Sequence, residues 1–205
     1  RFAPESNFPS ICCRFPPPIT GNPLRVMAPS SVLNGEADTT IEFWVNAAQV
    51  THEMNLVNAG NAATTLEELR IVLEANASPS EPNQDTITVR YYDDAAAAVR
   101  EVSWPGQTIR TLNPLEAETP HVGYFVHIAL VRNEAENLFE LFINGSGVGI
   151  KVVNSVGDRI SLGNMAVDAN GLVIGQKFSG DLGAWDVATG YEGMLDEFAI
   201  FTKVL

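Results

Sequence analysis

The amino-acid sequence predicts an all-β chain, an antiparallel sandwich led by an extended N-terminal arm. Three observations predict it. Apolar and polar residues alternate with period two through about a dozen short runs, as they do in half-buried strands. Turn residues separate these runs every ~8–12 residues. No stretch carries the period of an amphipathic helix. The clearest case is residues 126–152 (VHIALVRNEAENLFELFINGSGVGIKV). There Val126, Ile128 and Leu130 alternate, Asn133 to Asn137 form a polar loop, and Phe139, Leu141 and Ile143 alternate again. Asn144-Gly145 then closes a hairpin, because a two-residue type I′ turn needs positive φ at both central positions.

Residues 1–23 hold six of the twelve prolines and both cysteines. Pro16-Pro17-Pro18 predicts polyproline II without internal hydrogen bonds. This segment reads as an arm that packs along the domain or reaches a neighbour, outside any regular sheet. Cys12 and Cys13 are adjacent, and three readings compete: free thiols, bonds to other chains or to a segment beyond this sequence, and a strained vicinal disulfide. With only these two cysteines, any disulfide other than the vicinal one is intermolecular.

Residues 24–33 read as a first strand interrupted by Pro29, with a turn at Asn34-Gly35. Residues 39–47 (TTIEFWVNA) put Ile41, Phe43 and Val45 on one face and Glu42, Trp44 and Asn46 on the other. Strands follow at 54–58, 69–75 and 86–92. Residues 95–104 have helical propensity in their alanines, but their second half reads as a strand ended by the Pro105-Gly106 turn. Residues 107–119 read as a loop with a short strand at Ile109. Short strands at 158–162 and 171–175, a Gly- and Asp-rich loop at 177–189 and a closing strand at 191–201 complete a single domain over residues 24–205.

The chain carries 25 acidic against 12 basic residues, a formal charge of -13 at pH 7. Nucleic acid is excluded as a partner, because its binding depends on Lys and Arg neutralising phosphates. Anionic membrane surfaces are disfavoured on the same ground, and no run approaches the ~20 apolar residues of a membrane-spanning helix. The sequence starts at Arg1 and not at Met, which predicts a removed leader or a position inside a longer protein. An acidic, lysine-poor surface suits an extracellular or cell-surface protein.

Three blocks then carry a resemblance. TIEFWV at residues 40–45, HIALVRN with LFELFINGSGVG at 127–149, and LVIG at 172–175 followed by GMLDEFAIFTKVL at 193–205 resemble the concanavalin A-like lectin/glucanase superfamily, in its laminin G-like branch. Their order and spacing agree with that family across residues 38–205. Where the family has a Trp before the hairpin His, this chain has Phe125-Val126, which keeps the apolar role. The resemblance implies a jelly-roll sandwich of two curved antiparallel sheets.

Candidate sites follow. Glucanase members pair carboxylates in an E-x-D-x-x-E strand, ~5–5.5 Å apart in retaining enzymes. No such triplet occurs here, Asp196-Glu197 point to opposite faces of a pleat, and Glu67-Glu68 sit in a loop, so the chain is not expected to be an enzyme. Asp168, Asp181 and Asp186 flank a Gly-rich loop and are the candidate ligands for calcium, the one candidate cofactor; solvated acidic loops are the competing reading. Trp185, between Asp181, Asp186 and Tyr191, is the candidate ligand contact, since sugar sites stack an aromatic on the apolar sugar face. Its alternative role is to anchor its own loop. Asn76 and Asn144 each begin an N-x-[ST] triplet in a loop and are candidate glycosylation sites.

Taken together, these readings describe a non-catalytic extracellular binding or adhesion module that recognises a glycan or a protein partner. The alternative is a structural subunit of a surface assembly, joined to copies of itself through residues 1–23.

Overall fold

The computed structural model describes residues 13–15, 26–47, 53–62, 67–75, 85–93, 96–107, 109, 125–152, 154–155, 158–159, 162 and 164–205. Within them the strands are β1 (Cys13–Phe15), β2 (Val26–Ala28), β3 (Thr39–Ala47), β4 (Met54–Ala59), β5 (Leu69–Ala75), β6 (Asp85–Asp93), β7 (Ala98–Gln107) and β8 (Val126–Asn133). There follow β9 (Leu138–Ile143), β10 (Ser146–Val152), β11 (Asn154–Ser155), β12 (Asp158–Arg159), β13 (Leu172–Ile174), β14 (Phe178–Ser179), β15 (Asp181–Trp185) and β16 (Gly193–Phe201). The first sheet runs β1-β16-β3-β8-β9-β10 and the second β2-β13-β4-β5-β6-β7; two short hairpins, β11-β12 and β14-β15, stand apart. Neighbours in both sheets pair antiparallel. This is the jelly-roll sandwich that the alternation and the resemblance predict.

The pleat decides what the sandwich buries. Ile41, Phe43 and Val45 of β3, Val126, Ile128 and Leu130 of β8, and Phe139 and Leu141 of β9 face inward from the first sheet. Leu69, Ile71 and Leu73 of β5, Ile87, Val89 and Tyr91 of β6, and Leu172 and Ile174 of β13 meet them from the second. At the edges, Trp104 on β7 donates its indole N–H to the Gly149 carbonyl on β10 at 2.9 Å, tying one sheet to the other. Buried Arg132 on β8 fastens two connecting segments, donating to the carbonyls of Ala37 and Leu162. The turn expected at Asn144-Gly145 has φ of 50° and 75° at its two residues. Asn144 also accepts from the His127 N–H at 2.9 Å, which locks the hairpin to β8.

Several local expectations are corrected. Cys13–Phe15 was expected outside any sheet, yet it pairs with Leu195, Met194 and Gly193 and forms an edge of the first sheet. The strand expected over 24–33 ends at Ala28, because Pro29 has no N–H for the ladder and a 3-10 turn starts after it at Ser30–Val32. Pro105-Gly106 does not end β7; the strand continues to Gln107, with a register irregularity against β6. Ile109 is buried without being part of a strand. The segment expected as a loop over 177–189 contains the β14-β15 hairpin and a 3-10 turn at Val187–Thr189.

Candidate functional site

On the side of the second sheet that faces away from the core, Val173, Asn58, Arg70 and Arg90 share one register row. A register shift in β4 between Asn55 and Val57 leaves Asn55 and Asn58 among the buried polar residues while Met54, Leu56, Val57 and Ala59 join the core. Both asparagines fasten the segment after β13. Asn55 donates its amide to the Thr189 carbonyl at 2.8 Å, and Asn58 accepts from the Phe178 N–H at 3.1 Å. Gly180, at φ 81°, turns β14 into β15, so that Phe178 stands opposite Trp185 with ring centroids 4.9 Å apart. These rings and Val173 form a second, small apolar cluster.

Between this hairpin and the connection from β4 to β5 lies an open cleft of about 460 Å³, lined by Asn58, Ala62, Glu67, Lys177, Phe178, Ser179, Gly180 and Asp186. Three of its lining residues, Glu67, Lys177 and Asp186, belong to a network of charges that extends beyond it. Arg70 on β5 and Arg90 on β6 are directly opposite in register, an arrangement that repels unless carboxylates intervene. Glu53 intervenes: its oxygens lie 3.4 Å from Arg70, 3.1 Å from Arg90 and 3.7 Å from the Lys177 ammonium. Glu67 holds Arg70 at 2.6 Å, Glu74 and Glu101 hold Arg90 at 3.3 Å each, and Asp186 holds Lys177 at 3.3 Å. Arg70 is only 1% exposed, so its guanidinium depends on these partners for compensation.

Burial pushes the Glu67 carboxyl above the usual carboxylate range, Arg90 and Lys177 pull it back, and Glu53 adds to the rise. A carboxyl whose pKa is raised on folding binds its proton more tightly in the native state, so its contribution to stability falls as pH rises from 4.5 through the raised value. The difference in unfolding free energy between the wild type and Glu67→Gln, measured by urea denaturation from pH 4 to pH 8, is expected to shift toward the variant as pH rises. A flat difference would show that Glu67 titrates normally.

The structure distributes the sequence-predicted site residues unevenly. Asp186 lines the cleft, accepts from the Ala188 N–H at 3.1 Å and faces the Lys177 ammonium. Trp185 is half-buried and backs Phe178. Asp168 braces the rim, accepting from the Ala62 N–H at 2.8 Å. Asp181 opens β15 beside Ser179, and its side chain lies outside the described ones. Tyr191 is corrected: it is fully buried in the core, with its hydroxyl donating to the Met194 carbonyl at 3.1 Å and its pKa driven well above the usual phenol range by burial. Among the described residues no three His, Cys, Asp or Glu side chains converge as a metal site. The ammonium at Asp186 is the opposite of what a cation site there needs. Asn144 is exposed at its hairpin tip, whereas Asn76 and Cys12 lie outside the described residues.

Sequence reasoning missed Glu53, Glu67, Arg70, Arg90 and Lys177. The available signal, for Arg70 and Arg90, was a basic residue within each of the alternating strands LRIVLEA and TITVRYY. Glu67-Glu68, set aside as loop acids, divide their work. Glu67 lines the cleft, and Glu68, 7% exposed, accepts from the Ala166 N–H at 2.9 Å.

The concanavalin A-like lectin/glucanases superfamily supplies the family model Laminin_G_3, which matches residues 21–205. The chain belongs to this superfamily. Among solved structures, this superfamily member is similar to the native heptameric SAP-like pentraxin of Limulus polyphemus, at TM-score 0.60 and 16% identity over 95% of this chain and 76% of that one. It is similar to the CBM40 of the Ruminococcus gnavus IT-sialidase bound to α2,3-sialyllactose, at TM-score 0.57 and 13% identity over 86% and 80% of the two chains. It is also similar to the NanB sialidase of Streptococcus pneumoniae, at TM-score 0.66 and 13% identity, but the match spans 98% of this chain and only 27% of the sialidase chain. That likeness is to one part of a larger enzyme. A comparison with curated protein sequences finds no match. No helix among the described residues is long and apolar enough to cross a membrane.

Proposed function

We propose that the chain is a non-catalytic, extracellular glycan-binding module whose ligand occupies the cleft between the β14-β15 hairpin and the β4–β5 connection. The cleft itself carries the reading: about 460 Å³, open, and lined by carboxylates, an amide, an ammonium and an aromatic ring on a lectin-like scaffold. Sugar hydroxyls both donate and accept, so a sugar site needs both kinds of partner. Glu67 and Asp186 accept, while Lys177 donates. Trp185 supports the site from behind, holding Phe178 in place through ring contact. No metal is required by this arrangement.

A glycan array probed with the wild type is expected to give a specific set of binders, and Lys177→Ala is expected to weaken them at least tenfold. Trp185→Ala weakens them by loosening the hairpin, and Trp185→Phe, which keeps a ring against Phe178, restores most of the binding. An array silent for the wild type, or binders indifferent to Lys177→Ala, would contradict the reading.

A second reading, a structural subunit joined through the arm, draws on β1. Among the described residues three pairs hold Cys13–Phe15 to β16, and the same pairing made between copies would link them. Association that grows with concentration and disappears on deleting residues 1–23 supports it; a monomer at every concentration sinks it.

A further inference from the structure

We infer that Glu53 is a specificity-determining residue that closes the cleft to acidic sugars. The inference rests on the glycan-binding reading for the location of the ligand, and on the ion pairs for its sign. A carboxylated sugar is captured by a cation with a free valence, ideally a guanidinium fork meeting the carboxylate through two parallel hydrogen bonds. One cation, Lys177, lines the cleft, and it shares the single carboxylate of Glu53 with Arg70 and Arg90, at 3.7, 3.4 and 3.1 Å. Each has a second carboxylate as well: Glu67 for Arg70, Glu74 and Glu101 for Arg90, Asp186 for Lys177.

An incoming sugar carboxylate therefore meets in Lys177 a cation already neutralised by Glu53 and Asp186, and meets Glu67 and Asp186 as like charges in the cleft lining. The chain's formal charge of -13 opposes the approach of an anion from a distance. An uncharged sugar suffers none of this, because carboxylates locked in ion pairs still have lone pairs for hydroxyl donors.

Glu53→Gln takes one carboxylate from all three cations together, leaving Lys177 with Asp186 alone, and Asp186→Asn takes one from Lys177 only, leaving it with Glu53. Asn caps a helical turn as well as Asp, so the second variant keeps the Asp186 cap on Ala188 and tests the inference even if Glu53→Gln fails to fold.

The experiment titrates lactose and α2,3-sialyllactose, a pair that differs by one sialic acid, into the wild type, Glu53→Gln and Asp186→Asn, following amide shifts of Lys177 to Gly180. The wild type is expected to show no saturable shift with sialyllactose. The variants are expected to bind it at least tenfold more tightly than the wild type, with a gain that shrinks as salt is raised. Sialyllactose binding to the wild type as tight as to the variants would overturn the inference, and so would the absence of any gain in both variants. A silent neutral-glycan array together with that gain would sink the glycan reading and leave the charge assignment of Glu53 standing.

Discussion

Arg70→Met is expected to lower the unfolding free energy by about 3–5 kcal/mol, the usual cost of breaking a buried ion pair by removing one partner. Arg70 is 1% exposed and sits 2.6 Å from Glu67 and 3.4 Å from Glu53. Glu53 keeps Arg90 and Lys177 when the guanidinium is removed, but Glu67 loses its closest cation while staying in a partly buried place. The double variant Arg70→Met/Glu67→Gln removes both charges and is expected to recover a large share of the loss, which a double-mutant cycle in urea reads directly. Loss equal to the sum of the two single variants would mean that the pair is not coupled.

Gly193→Ala is expected to cost about 3 kcal/mol or more, and to lower Tm by roughly 6–12 °C for a domain of this size. A Cβ at Gly193 would lie 2.2 Å from the Asn46 carbonyl oxygen and 2.6 Å from the Tyr191 hydroxyl, at a φ of 145° that L side chains rarely adopt. The backbone cannot yield, because Gly193 pairs with Ala47 on one side and Phe15 on the other. Gly145→Ala is the contrast: its φ is 75° but the Cβ meets open space, so only the left-handed penalty of ~1–2 kcal/mol applies. Equal thermal shifts for the two variants would remove the steric argument.

The framework was legible because one pleated face is buried and its residues repeat with period two. Ile41, Phe43 and Val45 declared the inward face of β3, and Asn144-Gly145 declared its hairpin, from neighbours within a few positions. The cleft was not legible in the same way. Glu53 and Lys177 are far apart in sequence and meet only because Asn55 and Asn58 fasten the segment after β13 across β4. Arg70 and Arg90 oppose each other only through the register of β5 and β6, which the turn between them does not announce. Trp185 drew attention as an aromatic in a polar stretch, but its partner Phe178 lies across a hairpin hidden in what looked like loop composition. Tyr191 was read by proximity to Trp185, although after Gly190 the chain turns it into the core.

The most direct test of the account is chemical-shift mapping of the wild type against the strongest array binder, with amides assigned. Saturable shifts confined to Asn58, Ala62, Glu67, the Lys177 to Gly180 run and Asp186 are expected. Shifts clustered instead on the outer side of the first sheet, around Trp44 and His127, with the cleft silent, would contradict it.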